Sequence, residues 1–211
     1  MGFVRKVYSI LGAQLVFTSL FILFPIFNDG MRVWMAQNFG LLIAACIGQI
    51  LTSILLLCCR GLSRSVPINY ILLGLFTACE AYLLGFIASY YNPITVLAAA
   101  SATAGITIAI SIYAWTTKKD FTVFGPVLLI VGFVFCIMSL FAFLFGHVGN
   151  MIFCGIAVIL FSFYLLFDTQ LIMGGKRYEI EIDDYILGAI ILYTDIVTIF
   201  LYLLSIFGGD K

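Results

Sequence analysis

The chain has 211 residues, of which 64% are hydrophobic and only 9% are charged, whereas ordinary soluble domains carry roughly 25% charged residues. Ten basic residues balance ten acidic residues, and we expect no nucleic-acid partner. A water-soluble surface cannot be built from this composition. The lipid bilayer is therefore the expected environment of the whole chain.

Apolar stretches follow one another from the first residues to the last. A helix needs about 20 mostly apolar residues to cross the hydrocarbon of a bilayer, and none of the runs shows the strict alternation of a membrane barrel strand. The sequence therefore predicts a single all-α transmembrane domain over residues 1–211, a seven-helix bundle. The predicted spans are 7–27, 38–58, 68–90, 94–116, 121–145, 149–173 and 185–207.

Basic residues orient the predicted bundle, because Lys and Arg in short loops favour the cytoplasmic side. With seven crossings, two basic residues, Arg32 and Lys211, fall on one side. The other eight, which predict a cytosolic N-terminus, are Arg5, Lys6, Arg60, Arg64, Lys118, Lys119, Lys176 and Arg177. We expect Lys118 and Arg177 to face the cytosol and His147 and Lys211 to face the lumen or exterior.

Three carboxylates lie inside predicted spans, where each costs at least about 2.5 to 3.5 kcal/mol on insertion scales. Glu80 is close to the middle of the third span and has no obvious partner by sequence. We expect it to face the bundle interior, either lining an ion path or joining helices as a hydrogen-bonding group. Asp168 and Asp195 lie on the sixth and seventh spans, which are consecutive and antiparallel.

The two aspartates are predicted to converge. Side chains on a helix lean toward its N-terminus, so Asp168 leans deeper into the membrane while Asp195 leans back toward the cytoplasm. Two ionised carboxylates about 4 Å apart would repel by roughly 4 kcal/mol at an effective dielectric of 20, so the pair is predicted to share a proton and titrate as a unit. Such a pair can act as a pH switch. The alternative is that both groups only hold helices together.

Arg60 and Arg64 end the second span on the cytoplasmic side. Either could serve as a counter-ion for an aspartate, and either could equally be an interfacial anchor.

Four acids precede the last span and are interpreted as its N-terminal cap and charge complement, with weak cation recruitment as the alternative: Glu179, Glu181, Asp183 and Asp184.

These segments resemble the transmembrane Bax-inhibitor-motif family, and within it the lifeguard branch. The most specific matches are FDTQLI at 167–172, DY at 184–185, LYTDIV at 192–197 and IFLY at 199–202. Supporting matches are VRKVY at 4–8, CC at 58–59 with Arg64, PIN at 67–69 and KDFT at 119–122.

The resemblance implies a bundle in which six helices surround a central seventh. It implies that Asp168 and Asp195 form the family's pH-responsive pair, and that the family's basic partner corresponds to Arg60 or Arg64. It also implies a passive calcium leak across an endoplasmic reticulum, Golgi or plasma membrane, with calcium as the permeant ion, and a link to suppression of cell death.

Other functions fit the residues less well. An intramembrane aspartyl protease also needs two facing carboxylates, but Asp195 follows Leu192-Tyr193-Thr194 rather than the Gly-x-Gly that such enzymes share. A zinc hydrolase needs several His ligands, and the chain has one His. A retinal protein needs a lysine within a span, and the predicted spans contain none. We therefore expect neither enzymatic activity nor a cofactor. The remaining alternative is a non-conducting scaffold that binds membrane-protein partners and modulates other calcium channels.

Overall fold

The computed structural model describes residues 2–141 and 146–209. Within that part of the chain, seven helices are long and apolar enough to cross a membrane, which confirms the predicted all-α membrane bundle. The long helices are α1 (Gly2–Phe27), α3 (Phe39–Cys58), α5 (Ile68–Ala88), α6 (Pro93–Thr116), α7 (Gly125–Leu140), α8 (Gly146–Met173) and α9 (Tyr185–Phe207).

Two short helices occupy stretches that the hydropathy pattern treats only as connections. They are α2 (Asp29–Gln37) and α4 (Arg60–Arg64). The Asn28 side chain accepts a hydrogen bond from the Met31 backbone N–H at 3.1 Å and so caps α2, as short polar side chains do at helix starts. A 3₁₀ turn, Thr122–Phe124, leads into α7.

The helix limits follow the predicted spans closely at most ends. The fifth predicted span reached residue 145, whereas α7 ends at Leu140; residues 142–145 lie outside the described residues. Lys211, predicted on the outer side, also lies outside them. The first helix begins at Gly2, so it extends before the predicted apolar limit at residue 7.

The fold divides into two compact units, each described here by itself. The first contains the residues up to Pro93 together with Glu181–Tyr193. In it, α5 packs against both α1 and α3. Two side-chain hydrogen bonds of 2.8 Å connect its helices, from Gln14 to Thr77 and between Thr18 and Tyr193. Polar contacts between helices are characteristic of membrane bundles.

The second unit contains Ile94–Ile180 and the residues from Thr194 onward. Its core includes Phe135 of α7 and Phe153, Ala157 and Leu160 of α8. At one end of this unit, the Lys176 ammonium donates to the Lys119 carbonyl at 3.2 Å. The C-terminal ends of α6 and α8 therefore lie at the same end of the unit, as alternating crossings require.

The last helix contributes residues to both units. In an apolar 18-residue stretch of α9, 56% of the residues are buried. The corresponding fraction in the other spanning helices is 39% or less. It is therefore the most buried of the spanning helices among the described residues, which is the burial that a central helix requires.

Candidate functional site

The two aspartates of the last two spans belong to the second unit. Asp168 lies five residues before the end of α8, and Asp195 lies ten residues after Tyr185, the first residue of α9. Asp195 is buried, with 6% of its surface exposed, and Asp168 is partly buried. Both helices continue through these positions without a break, so the carboxyl groups are presented by rigid elements.

The carboxyl groups of Asp168 and Asp195 lie close enough to interact with each other, and a hydrogen bond between them stays a prediction. A carboxylate can only accept hydrogen bonds, so a bond between two carboxyl groups requires a proton on one of them. With both groups ionised, the buried Oδ2 atom of Asp195 has no donor among the residues the structure describes. A proton shared between the two acids would meet this requirement, and the sharing of that proton stays a prediction.

A tyrosine lies beside the aspartate pair, at a position that the sequence analysis did not single out. Tyr164 precedes Asp168 by one helical turn and lies close enough to both aspartates to interact with them electrostatically. Its hydroxyl donates to the Leu128 carbonyl of α7 at 2.6 Å. A Cβ atom at Gly132 would stand 2.0 Å from that hydroxyl, so a glycine is required for this approach.

Gln170, two residues after Asp168, fixes the end of α8. Its amide oxygen accepts from the Phe121 backbone N–H at 2.8 Å, and its amide nitrogen donates to the Lys119 carbonyl at 3.1 Å. Gln170 is completely buried. These bonds join α8 to the segment before α7, so the helix that carries Asp168 is held at its C-terminal end.

Aromatic rings fill the second unit two turns along α9 from Asp195, at Tyr202. Phe135 stacks on Phe153 with centroids 4.5 Å apart and planes 5° from parallel, and Tyr202 meets Phe135 edge-on at 5.9 Å. Phe161 stacks on Tyr202 at 6.0 Å. The aspartate pair therefore has a polar loop end at one side and an apolar aromatic cluster at the other.

The two candidate counter-ions have acidic partners within the first unit. The Arg64 guanidinium makes a bidentate pair with Asp184, Nε to Oδ1 at 2.6 Å and an Nη to Oδ2 at 2.8 Å, and reaches Glu181 at 2.5 Å. Arg60 lies 3.7 Å from Glu181. The simple capping interpretation of these acids was incomplete, because Asp184 binds an arginine. A pairing of Arg60 or Arg64 with Asp168 or Asp195 stays a prediction.

This ion-pair group changes the acidity of its members. Hydrogen bonding to Arg64 lowers the pKa of Asp184 below its usual range. The same contacts, first with Asp184 and then with Glu181, raise the pKa of Arg64 further above its ordinary value. Opposite charges in contact favour the charged form of both, so Arg64 and Asp184 stay ionised through neutral pH.

Glu80 has a partner that its sequence position did not reveal. Its carboxyl lies close enough to the Gln49 side chain of α3 to interact with it, and it is partly buried. Tyr193, which is completely buried, interacts electrostatically with Glu80. Glu80 thus faces other helices of the first unit, and its role in lining an ion path stays a prediction.

Comparisons with known proteins identify the family of this chain. The family described as "Inhibitor of apoptosis-promoting Bax1" matches residues 1–211. The chain belongs to this family. It is 35% identical to human Protein lifeguard 3 over 98% of this chain and 68% of that protein, and 36% identical to Protein LIFEGUARD 4 of Arabidopsis thaliana over all of this chain and 85% of that protein. Mouse Protein lifeguard 3 is 33% identical over 99% of this chain and 69% of its own length.

The Bax-inhibitor family relationship confirms the resemblance to the lifeguard branch. The chain is therefore a multi-pass membrane protein of a family linked to suppression of cell death. The aspartate pair lies within the matched region.

Proposed function

We propose that this member of the Bax-inhibitor family is a passive, non-enzymatic calcium leak whose conduction is switched by the shared proton of Asp168 and Asp195. The observation that carries the proposal is the interaction of two neighbouring carboxyl groups inside spanning helices. The resemblance to the lifeguard branch supports the choice of calcium as the permeant ion.

The proton supplies the switch because it decides whether the pair attracts or repels. With the proton in place, α8 and α9 are bridged by a hydrogen bond. Without it, two negative charges about 4 Å apart repel by roughly 4 kcal/mol at an effective dielectric near 20. Loss of the proton therefore favours separation of the two helices at this level, so the leak should increase as the pH rises through the titration of the pair.

The chemistry of the pair also suits the proposed ion. Calcium binds preferentially to carboxylate and carbonyl oxygens, and deprotonation of the pair produces two carboxylates at one place. The neighbouring aromatic cluster is apolar, and apolar constrictions can close a path to ions by excluding water. The proposed closed state combines a neutralised acid pair with this cluster.

Calcium flux from purified protein in liposomes tests the proposal. We expect the wild type to pass calcium, with flux rising as pH rises. Asp195→Asn keeps a hydrogen-bonding side chain but removes one titrating group, so its flux should lose that pH dependence. Asp29→Asn, a change at a highly exposed acid outside the long spans, should keep it. No flux from folded wild-type protein would favour the scaffold function, and an unchanged pH profile in Asp195→Asn would reduce the aspartates to structural contacts.

We further propose that the N-terminus is cytosolic and that the protein resides in an endomembrane or the plasma membrane. Eight of the ten basic residues support this orientation. Single cysteines placed at 118 or 177 should react with an impermeant reagent from the cytosolic side, and one at 147 from the opposite side. Labelling of position 147 from the cytosol would contradict the orientation.

A further inference from the structure

A polar cluster separate from the aspartate pair lies inside the first unit. Its members come from four helices, and the acid among them is Glu80. The cluster consists of Gln14 and Thr18 of α1, Gln49 of α3, Thr77 and Glu80 of α5, and Tyr193 of α9.

Helical spacing places these side chains on shared faces. Gln14 and Thr18 are four residues apart and Thr77 and Glu80 are three apart, spacings that put side chains on the same face of a helix. Gln14 Nε2 donates to Thr77 Oγ1 at 2.8 Å, and Thr18 Oγ1 lies 2.8 Å from the Tyr193 hydroxyl. These bonds join α1 to α5 and α1 to α9, and Glu80 lies one helical turn along α5 from Thr77.

One member of the cluster has an unmet hydrogen-bonding requirement. Gln14 is 95% buried, with 5% of its surface exposed, and its amide oxygen has no partner among the described residues. The Thr77 hydroxyl donates to the Leu73 carbonyl at 2.8 Å, so Thr77 offers Gln14 only an acceptor. The Gln14 nitrogen therefore faces Thr77, and its carbonyl oxygen remains free to bind a donor or a cation.

The charge of the cluster is also unbalanced. The groups that interact with Glu80 in the described part of the chain are Gln49, Cys79 and Tyr193, and none of them is basic. An acid in a spanning helix together with a free buried carbonyl is a set that a cation can complete. Oxygen donors of this kind match calcium and other hard cations.

The geometry points to a second cation site in the first unit, in which the Glu80 carboxylate supplies the charge and the Gln14 carbonyl supplies a neutral oxygen ligand. Gln49, Thr18 and Thr77 supply further oxygens nearby. Naming calcium as the ion rests on the proposed function, because the permeant ion must occupy its sites in turn. One carboxylate with neutral oxygens gives weak binding, which suits a site that a permeant ion must leave.

Terbium luminescence tests this site in purified, detergent-solubilised protein. Terbium(III) is a calcium substitute whose emission is sensitised by nearby phenol rings, and Tyr193 lies in the cluster. We expect wild-type protein to give tyrosine-sensitised emission that calcium displaces. Glu80→Gln should weaken the calcium-displaceable binding about tenfold or more, whereas Asp29→Asn, a change at a highly exposed acid outside the long spans, should leave it unchanged.

A gain-of-function variant keeps the test decisive if Glu80→Gln fails to fold. Gln14→Glu places a carboxylate where the free carbonyl lies and should tighten calcium-displaceable binding about tenfold, while Gln14→Met should weaken it. Wild-type binding in both Gln14 variants, or wild-type binding in folded Glu80→Gln, would overturn the site.

The outcome is independent of the proposed leak. Calcium-displaceable binding that depends on Glu80, in a protein without flux in liposomes, would support the site and contradict the leak. Calcium flux that rises with pH, in a protein whose calcium binding is unchanged by substitution of Glu80 and Gln14, would support the leak and contradict the site.

Discussion

Acidic side chains are brought together at two places in this molecule, and they are held there in different ways. In the second unit, the carboxyl groups of Asp168 and Asp195 interact with each other inside spanning helices. In the first unit, Asp184 and Glu181 meet around the guanidinium of Arg64 at the start of α9. One group contains two acids, and the other contains two acids with a base.

The difference determines what each group can do. Hydrogen bonding to Arg64 favours the ionised form of Asp184, so this ion pair is a fixed electrostatic contact through neutral pH. A hydrogen bond between two carboxyl groups requires a proton, so we propose that the aspartate pair responds to the proton concentration. On this proposal, acidic side chains provide a permanent contact in one region and a titratable one in the other.

Removal of the base from the ionised group should have the largest effect on stability. Arg64→Gln leaves Asp184, which is 4% exposed, without its bidentate partner, and a buried charge without a partner is strongly unfavourable. We expect the lowest Tm of the variants described here. Arg32→Gln removes an exposed pair with Asp29 at 2.8 Å and should change the Tm little. An Arg64→Gln Tm equal to that of Arg32→Gln would contradict the account, and Arg64→Gln with Asp184→Asn should recover part of the loss.

The environment of the aspartate pair can be disturbed without touching either acid. Gly132→Ala introduces a Cβ that would stand 2.0 Å from the Tyr164 hydroxyl, and overpacking of this kind costs about 1 to 3 kcal/mol. Gly155→Ala, on α8 with no atom within 4 Å of the new Cβ, should be neutral or slightly stabilising. Tyr164→Phe should reduce the cost of Gly132→Ala. Equal unfolding free energies for the two alanine variants would show that this packing is not needed.

Acid should weaken the ionised group in a way that can be assigned to one residue. The pKa of Asp184 is lowered in the fold by Arg64, so its stabilising contribution is fully present above its unfolded value near 3.9. That contribution is lost as pH falls through the lower, folded value. At pH values below about 4, the Tm of the wild type should therefore decrease. The Tm of Asp184→Asn should decrease less over the same pH range. An identical acid dependence in both proteins would contradict the assignment.

The smallest change in Tm is expected for Asp195→Asn. Its amide can donate to the Asp168 carboxylate, so the connection between α8 and α9 survives without the proton. The Tm should stay close to that of the wild type at neutral pH, even though the pH dependence of the flux is lost. A Tm as low as that of Arg64→Gln would favour a purely structural role for the pair.

Much of the fold could be predicted because lipid imposes a simple requirement on sequence. Seven apolar stretches of sufficient length gave the seven spanning helices to within a few residues at most ends. The short helices α2 and α4 were not predicted, since they lie in polar connections where hydropathy carries no signal. Asn28 before Asp29 was the one available indication of α2, as a helix-capping residue.

The candidate site was predictable only in part. The convergence of Asp168 and Asp195 follows from antiparallel helices and the lean of side chains, which sequence alone provides. The partners of Arg64 and Glu80 could not be deduced, because they depend on which helices pack together and on how the loop before α9 runs. The position of Tyr164 needed the close approach of α7 and α8 at Gly132, and a single glycine in an apolar span does not identify its neighbour.

The most direct test of the shared proton is the infrared spectrum of the protein in lipid vesicles, measured in a Glu80→Gln background so that the third intramembrane acid does not contribute. The account predicts a carbonyl band of a protonated carboxyl group that disappears as the pH rises over the same range in which calcium flux increases. The band should be absent from the Asp168→Asn, Asp195→Asn double variant. A spectrum without that band throughout this range, or a band that persists in the double variant, would contradict the shared proton and with it the proposed switch.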